Sequence, residues 1–261
     1  MGIEDLKMPI CRMADNLYHI GVKGGPCYVL DTSEGIVLID TALPEALAII
    51  LQNLKSIGKN PSDIKHIIHT HGHIDHVGST KKLVELSEAK TYIGKGDESA
   101  VMGENRLICA EELGMRFDDT FIPDVVLGDG NTLTVGDTKF RFVSTPGHTA
   151  GTMSLFFDVR VDGKKYLAGM FGGAGLNTLT HEYLDRYGLP LSMREQFIHS
   201  IGKIIDIPVE FHVGNHLSDN NYHEKVLRLG NKVNPFLANN TYKAFLIKRK
   251  AQALELFARD K

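Results

Sequence analysis

The run Thr70-His71-Gly72-His73-Ile74-Asp75-His76 places three histidines and one aspartate within six consecutive positions, directly after an apolar stretch. Imidazole nitrogens and carboxylate oxygens at this density are the ligand types of zinc and related divalent metals. In an extended segment, side chains at alternate positions share a face, so His71, His73 and Asp75 converge while His76 projects elsewhere. That spacing predicts two neighbouring metal sites. Two further histidines stand where strands would end and loops carry functional groups. They are His148, in Thr145-Pro146-Gly147-His148-Thr149, and His216, in His212-Val213-Gly214-Asn215-His216. His212, four residues before His216, is an alternative for the last position. Asp40, closing the apolar run Val37-Leu38-Ile39, is a candidate for orienting a ligand histidine from behind.

Other residues that could do chemistry have plainer readings. His19, His66, His69, His181, His199 and His223 read as ordinary core or surface residues. Cys11, Cys27 and Cys109 are widely spaced and odd in number, which fits buried thiols rather than a disulfide framework. Phe171-Gly172-Gly173-Ala174-Gly175 lacks the strand-Gly-x-Gly-x-x-Gly-helix context of a phosphate-binding turn. Phe171, Tyr183 and Tyr187 read first as packing residues and second as pocket lining. No serine or cysteine stands in an arrangement that demands a nucleophilic role.

These side chains need a rigid frame. Short β-branched runs at 16–21, 27–31 and 36–40, broken by glycine, predict strands. Helical spacing from Pro44 to Ile57, stopped by Gly58, predicts a helix, and 64–69 predicts a buried strand leading into the histidine cluster. Helix is expected at 80–86 and near Glu98, strand at 90–93, and a loop over the site at 104–120. Beyond Val125 the pattern reads as hairpins at 132–135, 139–143, 153–157 and 165–168, then helices at 193–205 and 241–259. The alternation predicts a layered α/β architecture within a single domain, 1–261.

The chain has 261 residues, 43% of them hydrophobic, and a formal charge of −3 with dispersed basic residues. This is enough chain for a sizeable core, and it carries no footprint of a nucleic-acid binder. A charged N-terminus without an apolar signal segment, and no run long enough to span a bilayer, predict a cytoplasmic protein without a membrane partner. A small-molecule substrate is expected.

His-x-His-x-Asp-His, the later Pro-Gly-His-Thr and a last histidine after a glycine resemble the metallo-β-lactamase superfamily. The resemblance begins at Val37-Leu38-Ile39-Asp40-Thr41 and covers nearly the whole chain. It implies a four-layer αββα sandwich, with His71, His73 and His148 binding one metal and Asp75, His76 and His216 the second. Two zinc ions are implied, with iron or manganese as alternatives. Many hydrolases of this superfamily bridge both metals with an aspartate where this chain has Met170. An Asp-His-His second site without that carboxylate is similar to the third subclass of class B β-lactamases, as is the segment around His216. The implied activity is a hydrolase that attacks a carbonyl with metal-bound hydroxide, a β-lactam being the specific expectation. Asp75 would orient and deprotonate the nucleophile. A lactone, thioester or other ester hydrolase is the alternative, followed by a degenerate metal-binding module or a mononuclear iron enzyme.

Overall fold

The computed structural model describes residues 3–237 and 240–260. After α1 (Ile3–Leu6), strands β1 (Cys11–Arg12), β2 (Leu17–His19), β3 (Tyr28–Thr32) and β4 (Gly35–Ile39) form an antiparallel ladder. The sheet then becomes parallel through β5 (Ile64–Ile68), β6 (Lys90–Gly94) and β7 (Val125–Leu127). Parallel neighbours require crossovers. These are α2 (Leu47–Ser56), then α3 (Ile74–Val77) with α4 (Thr80–Ser87), then α5 (Glu98–Val101) with the long segment after it.

The second sheet, of five strands, is built from hairpins: β8 (Thr132–Val135), β9 (Thr138–Ser144), β10 (Met153–Val161) and β11 (Lys164–Met170). Asp162 and Gly163, at φ +50° and +73°, form the two-residue turn that joins β10 to β11, with Val161 opposite Lys164. Two successive positive φ values are what such a tight hairpin needs. Helices α6 (His181–Tyr187) and α7 (Ser192–Ile204) return the chain to β12 (Phe211–His212), parallel to β11; α8 (Tyr222–Leu227) and α9 (Thr241–Arg259) follow.

The four expected layers are present. Alternate residues of the two sheets face each other: Tyr28, Leu30, Val37 and Ile39 from the first sheet share a buried cluster with Phe140, Phe142, Leu155 and Phe157 from the second. On the outer face of the first sheet, Val29, Leu38 and Ile67 pack against Ile49, Ile50 and Leu54 of α2. On the outer face of the second, Val143 and Phe156 pack against Phe197 and Ile201 of α7 and Leu246 of α9. Burial of these faces is the main driving force for the layering.

Helices α3, α6 and α8 have no counterpart in the sequence reading, because four to seven residues are too few to display a helical period. The 104–120 segment is irregular apart from one short turn, Glu111–Leu113. It is anchored to the histidine cluster by the Ile74 N–H, which donates to the Ile108 carbonyl at 2.8 Å. Among the described residues, no helix is long and apolar enough to cross a membrane.

Candidate metal centre

The histidine run leaves the C-terminal end of β5 and does not stay extended. His73 is still in the β region, but the chain turns into α3 at Ile74. This corrects the expectation that Asp75 shares a face with His71 and His73 while His76 points away. The helical turn carries Asp75 and His76 together to a second cluster. His148 arrives from the loop after β9 and His216 from the loop after β12, giving two groups: His71, His73 and His148, and Asp75, His76 and His216.

In the first group, His71 Nε2 lies 3.0 Å from His73 Nδ1, which lies 3.1 Å from His148 Nε2. In the second, His76 Nε2 and His216 Nε2 are 3.2 Å apart, with Asp75 Oδ2 at 3.4 and 3.6 Å from them. The His71 and His76 rings, 4.0 Å between centroids, join the two groups.

The outer nitrogens explain which way the lone pairs point. His148 Nδ1–H donates to the Gly175 carbonyl at 2.9 Å, and His71 Nδ1–H to Thr70 Oγ1 at 3.1 Å. His76 Nδ1–H donates to Asp40 Oδ2 at 2.8 Å. With these nitrogens protonated, each Nε2 presents a bare lone pair to its neighbours. Burial pushes His76 and His148 down to about 3 and drives His71 and His73 well below the ordinary imidazole range, so these rings are neutral at neutral pH. Neutral lone pairs converging in a buried space, with no lysine or arginine ion-paired to any of the six among the described residues, fit bound cations.

Several residues hold this arrangement from behind. Asp40, fully buried at φ +59°, accepts from the Thr70 N–H, the Thr70 hydroxyl and His76, each at 2.8 Å. Burial pushes its carboxyl up to about 7, against the opposing pull of His69 and the Thr70 hydrogen bonds. Asp40 was singled out; Thr70 and Asn215, whose amide donates to Thr70 Oγ1 at 3.0 Å, were not. Asp97 accepts from Gly72 N–H at 2.8 Å, Gly151 N–H at 2.7 Å and the Thr149 hydroxyl at 2.7 Å, tying the histidine run to the His148 loop. Its only sequence signal is its place just after an apolar strand.

Glycine supplies the close approach. Gly147 has φ +140°, and a Cβ there would lie 2.6 Å from Phe197 Cα. A Cβ on Gly173 would lie 2.9 Å from His148 Cβ, so the glycine run 172–175 is the bed on which His148 rests, not a phosphate cradle.

A family model for the metallo-beta-lactamase superfamily matches residues 20–161, more than half of the chain. The chain belongs to this superfamily. Across nearly its whole length it is similar in fold to BJP-1 of Bradyrhizobium japonicum, a subclass B3 metallo-beta-lactamase, with TM-score 0.88, 22% identity and coverage of 98% and 96% of the two chains. The probable metallo-hydrolase YflN of Bacillus subtilis is 27% identical over 182 residues, 64% of this chain and 63% of that protein. A hydroxyacylglutathione hydrolase of Francisella tularensis subsp. novicida is 31% identical over 118 residues, 42% of this chain and 38% of that one. The chain spans 56% to 63% of the length of three curated relatives that it matches.

Within the superfamily frame, two positions stand out. Met170, at the end of β11 opposite Leu155, is fully buried in the cluster between the sheets, and the two ligand-type groups share no residue. His212 does not join either group: its ring is buried against Tyr242 and Phe245, with centroids 5.3 and 5.2 Å away. His216 is the histidine that the fold delivers. Of the three aromatics considered for a pocket, Tyr183 lines a cavity of about 50 Å³ beside His73 and His148. Its hydroxyl meets Cys109 Sγ at 3.2 Å. Tyr187 lies tilted against Tyr183, with ring centroids 4.6 Å apart, and bonds to Glu112, while Phe171 packs on Phe197. The side chains of His216 and Asp75 keep 36% and 15% exposure, whereas His76 has none, so solvent reaches the centre from the His216 side.

Proposed function

We propose that this chain is a zinc-dependent hydrolase that opens a carbonyl derivative, with the strained amide of a β-lactam as its substrate. The observation that carries the reading is the pair of adjoining three-donor groups, buried except for the partly exposed Asp75 and His216, with no carboxylate shared between them. Five imidazoles and one carboxylate suit zinc better than the oxygen-rich sets that favour magnesium or manganese. His71, His73 and His148 would hold one ion and Asp75, His76 and His216 the other. Such a pair of ions lowers the pKa of water and polarises a carbonyl.

The chain's own residues supply orientation and proton handling. Asp40 fixes the His76 ring and Gly175 the His148 ring, so neither turns as substrate enters. Asp75 is the one carboxylate in the two groups, and its partial exposure lets it accept the proton released by an attacking water. The 36% exposure of His216 gives the substrate its direction of approach.

The β-lactam reading is supported by the whole-chain likeness to BJP-1 and by Met170 at the position where a bridging aspartate would stand. A thioester is the second reading, favoured by the similarity to hydroxyacylglutathione hydrolase. Zinc-loaded protein of measured metal content should hold two equivalents and turn over a β-lactam panel faster than matched thioester and lactone panels. Turnover of thioesters alone assigns the second reading. Fewer than two equivalents after reconstitution removes the binuclear one.

A further inference from the structure

A separate cavity of about 440 Å³ lies between the end of β12, the turn at 218–221, α8 and α9. None of the six residues of the metal centre lines it. Its walls include His212, Asn220, Lys225, Phe245, Lys248 and Arg249. Three of these are buried polar residues, at 1%, 4% and 8% exposure for His212, Asn220 and Lys225.

Their wiring is incomplete. Among the described residues, neither nitrogen of His212 has a hydrogen-bond partner. Asn220 spends its amide N–H on the His212 carbonyl at 3.0 Å and leaves Oδ1 unpaired. Among the described residues Lys225 Nζ has no hydrogen-bond partner, and it sits 5.4 Å from the centre of the Phe236 ring. Arg249 reaches Asp219 Oδ1 at 3.3 Å through Nη2 while its Nε stays unpaired. Buried polar atoms are nearly always paired, and a buried ammonium without a counter-charge is costly. Four such residues border one cavity, with their unpaired atoms just beneath its wall, which makes a site that a ligand would complete rather than a packing fault.

The charge pattern gives the ligand class. Lys225, Lys248 and Arg249 face one carboxylate, Asp219, so the lining is cationic. We propose that this cavity binds a small organic anion, a hydroxylated carboxylate or phosphate ester. Its anionic group pairs with the exposed Lys248, and Lys225 and Arg249 turn their ends from the cavity wall to join it, as the Asn220 amide does to accept from its hydroxyl. The volume is that of a small-molecule pocket, and Phe245 supplies an apolar wall for the carbon skeleton. His212, held neutral near 3 by burial and then by Lys225, offers one N–H and one lone pair rather than a charge.

Calorimetry on the metal-loaded full chain, with glycerol 3-phosphate and with tartrate as probes, tests this. One or both should bind, the stronger arm naming phosphate or carboxylate as the anionic group. Lys225→Met and Lys248→Met should each weaken that binding by about tenfold or more while metal content stays the same. Lys248 is exposed, so its variant decides the matter even where Lys225→Met folds poorly. Absence of binding for both probes overturns the proposal. So does affinity unchanged in Lys248→Met, which would place the anion at the metal centre.

Discussion

The metal centre and the cavity beside α9 are both buried, polar and supplied with histidine, yet they are wired in opposite ways. At the metal centre, the outer nitrogens of His71, His76 and His148 are each tied to a fixed acceptor, which leaves the inner nitrogens to converge. In the cavity, His212 has neither nitrogen tied and Lys225 lies over an aromatic face with no hydrogen bond among the described residues. Buried carboxylates make the difference. Asp40 and Asp97 each accept three hydrogen bonds around the histidine run, whereas Asp219 is already taken by the His216 N–H and by Arg249. One cluster is organised before any ligand arrives; the other keeps its donors free.

The largest expected break in this comparison is at Asp75, whose carboxylate is the only one among the six metal-centre residues. Asp75→Ala should lower kcat by roughly 10²- to 10⁴-fold, the range for removing a positioned acid–base group, and leave the midpoint of thermal unfolding of the metal-free protein nearly unchanged. Steady-state kinetics beside a melting curve would show it. Full retained activity would mean that the proton goes elsewhere.

A smaller effect is expected behind the ligands. Asp40→Asn replaces one acceptor oxygen by an N–H₂ group that must face either the Thr70 N–H or the His76 Nδ1–H, both donors. Metal affinity should fall by roughly 10- to 100-fold, as for other outer partners of ligand histidines. Titration against a competing chelator measures it. An unchanged affinity would show that His76 keeps its orientation without the carboxylate, and the contrast between the two clusters would lose its cause.

What the sequence displayed and what it hid follow the same division. The strands at 132–135 and 64–68 and the helix at 241–259 were legible because their periodicity or turn chemistry is local. So were His71, His73, Asp75 and His76, crowded by sequence alone. The face on which Asp75 lies was misread, because α3 is a single turn of helix hidden inside the motif. Asp97 and Asn215 act through partners tens of residues away, which no spacing announces. The cavity was invisible for a further reason. Lys225 and Arg249 look like solvated helix faces until α8 and α9 fold against His212.

The mildest test concerns the energetic cost of leaving Lys225 unpaired. Burial, followed by Arg228 just past the end of α8, pulls its ammonium down to about 8, against a weaker opposing pull from Glu224. Lys248, Arg249 and Asp219 line the cavity across from it. Because the folded-state value lies below the unfolded one, the unfolded chain binds more protons between about pH 8 and pH 10.5, and this contribution makes stability rise across that window. Below pH 8 the full penalty applies. Lys225→Met removes the charge, keeps the length of the stem and should stabilise the anion-free protein by about 1–2 kcal/mol at pH 7. The gain should shrink toward zero as pH approaches 10.5. Urea unfolding of both proteins across that range, in buffers without phosphate or carboxylate, gives the difference directly. A gain that is flat in pH would reflect packing, not charge. A loss at every pH would mean that the ammonium is satisfied, and the two clusters would then differ in geometry but not in energy.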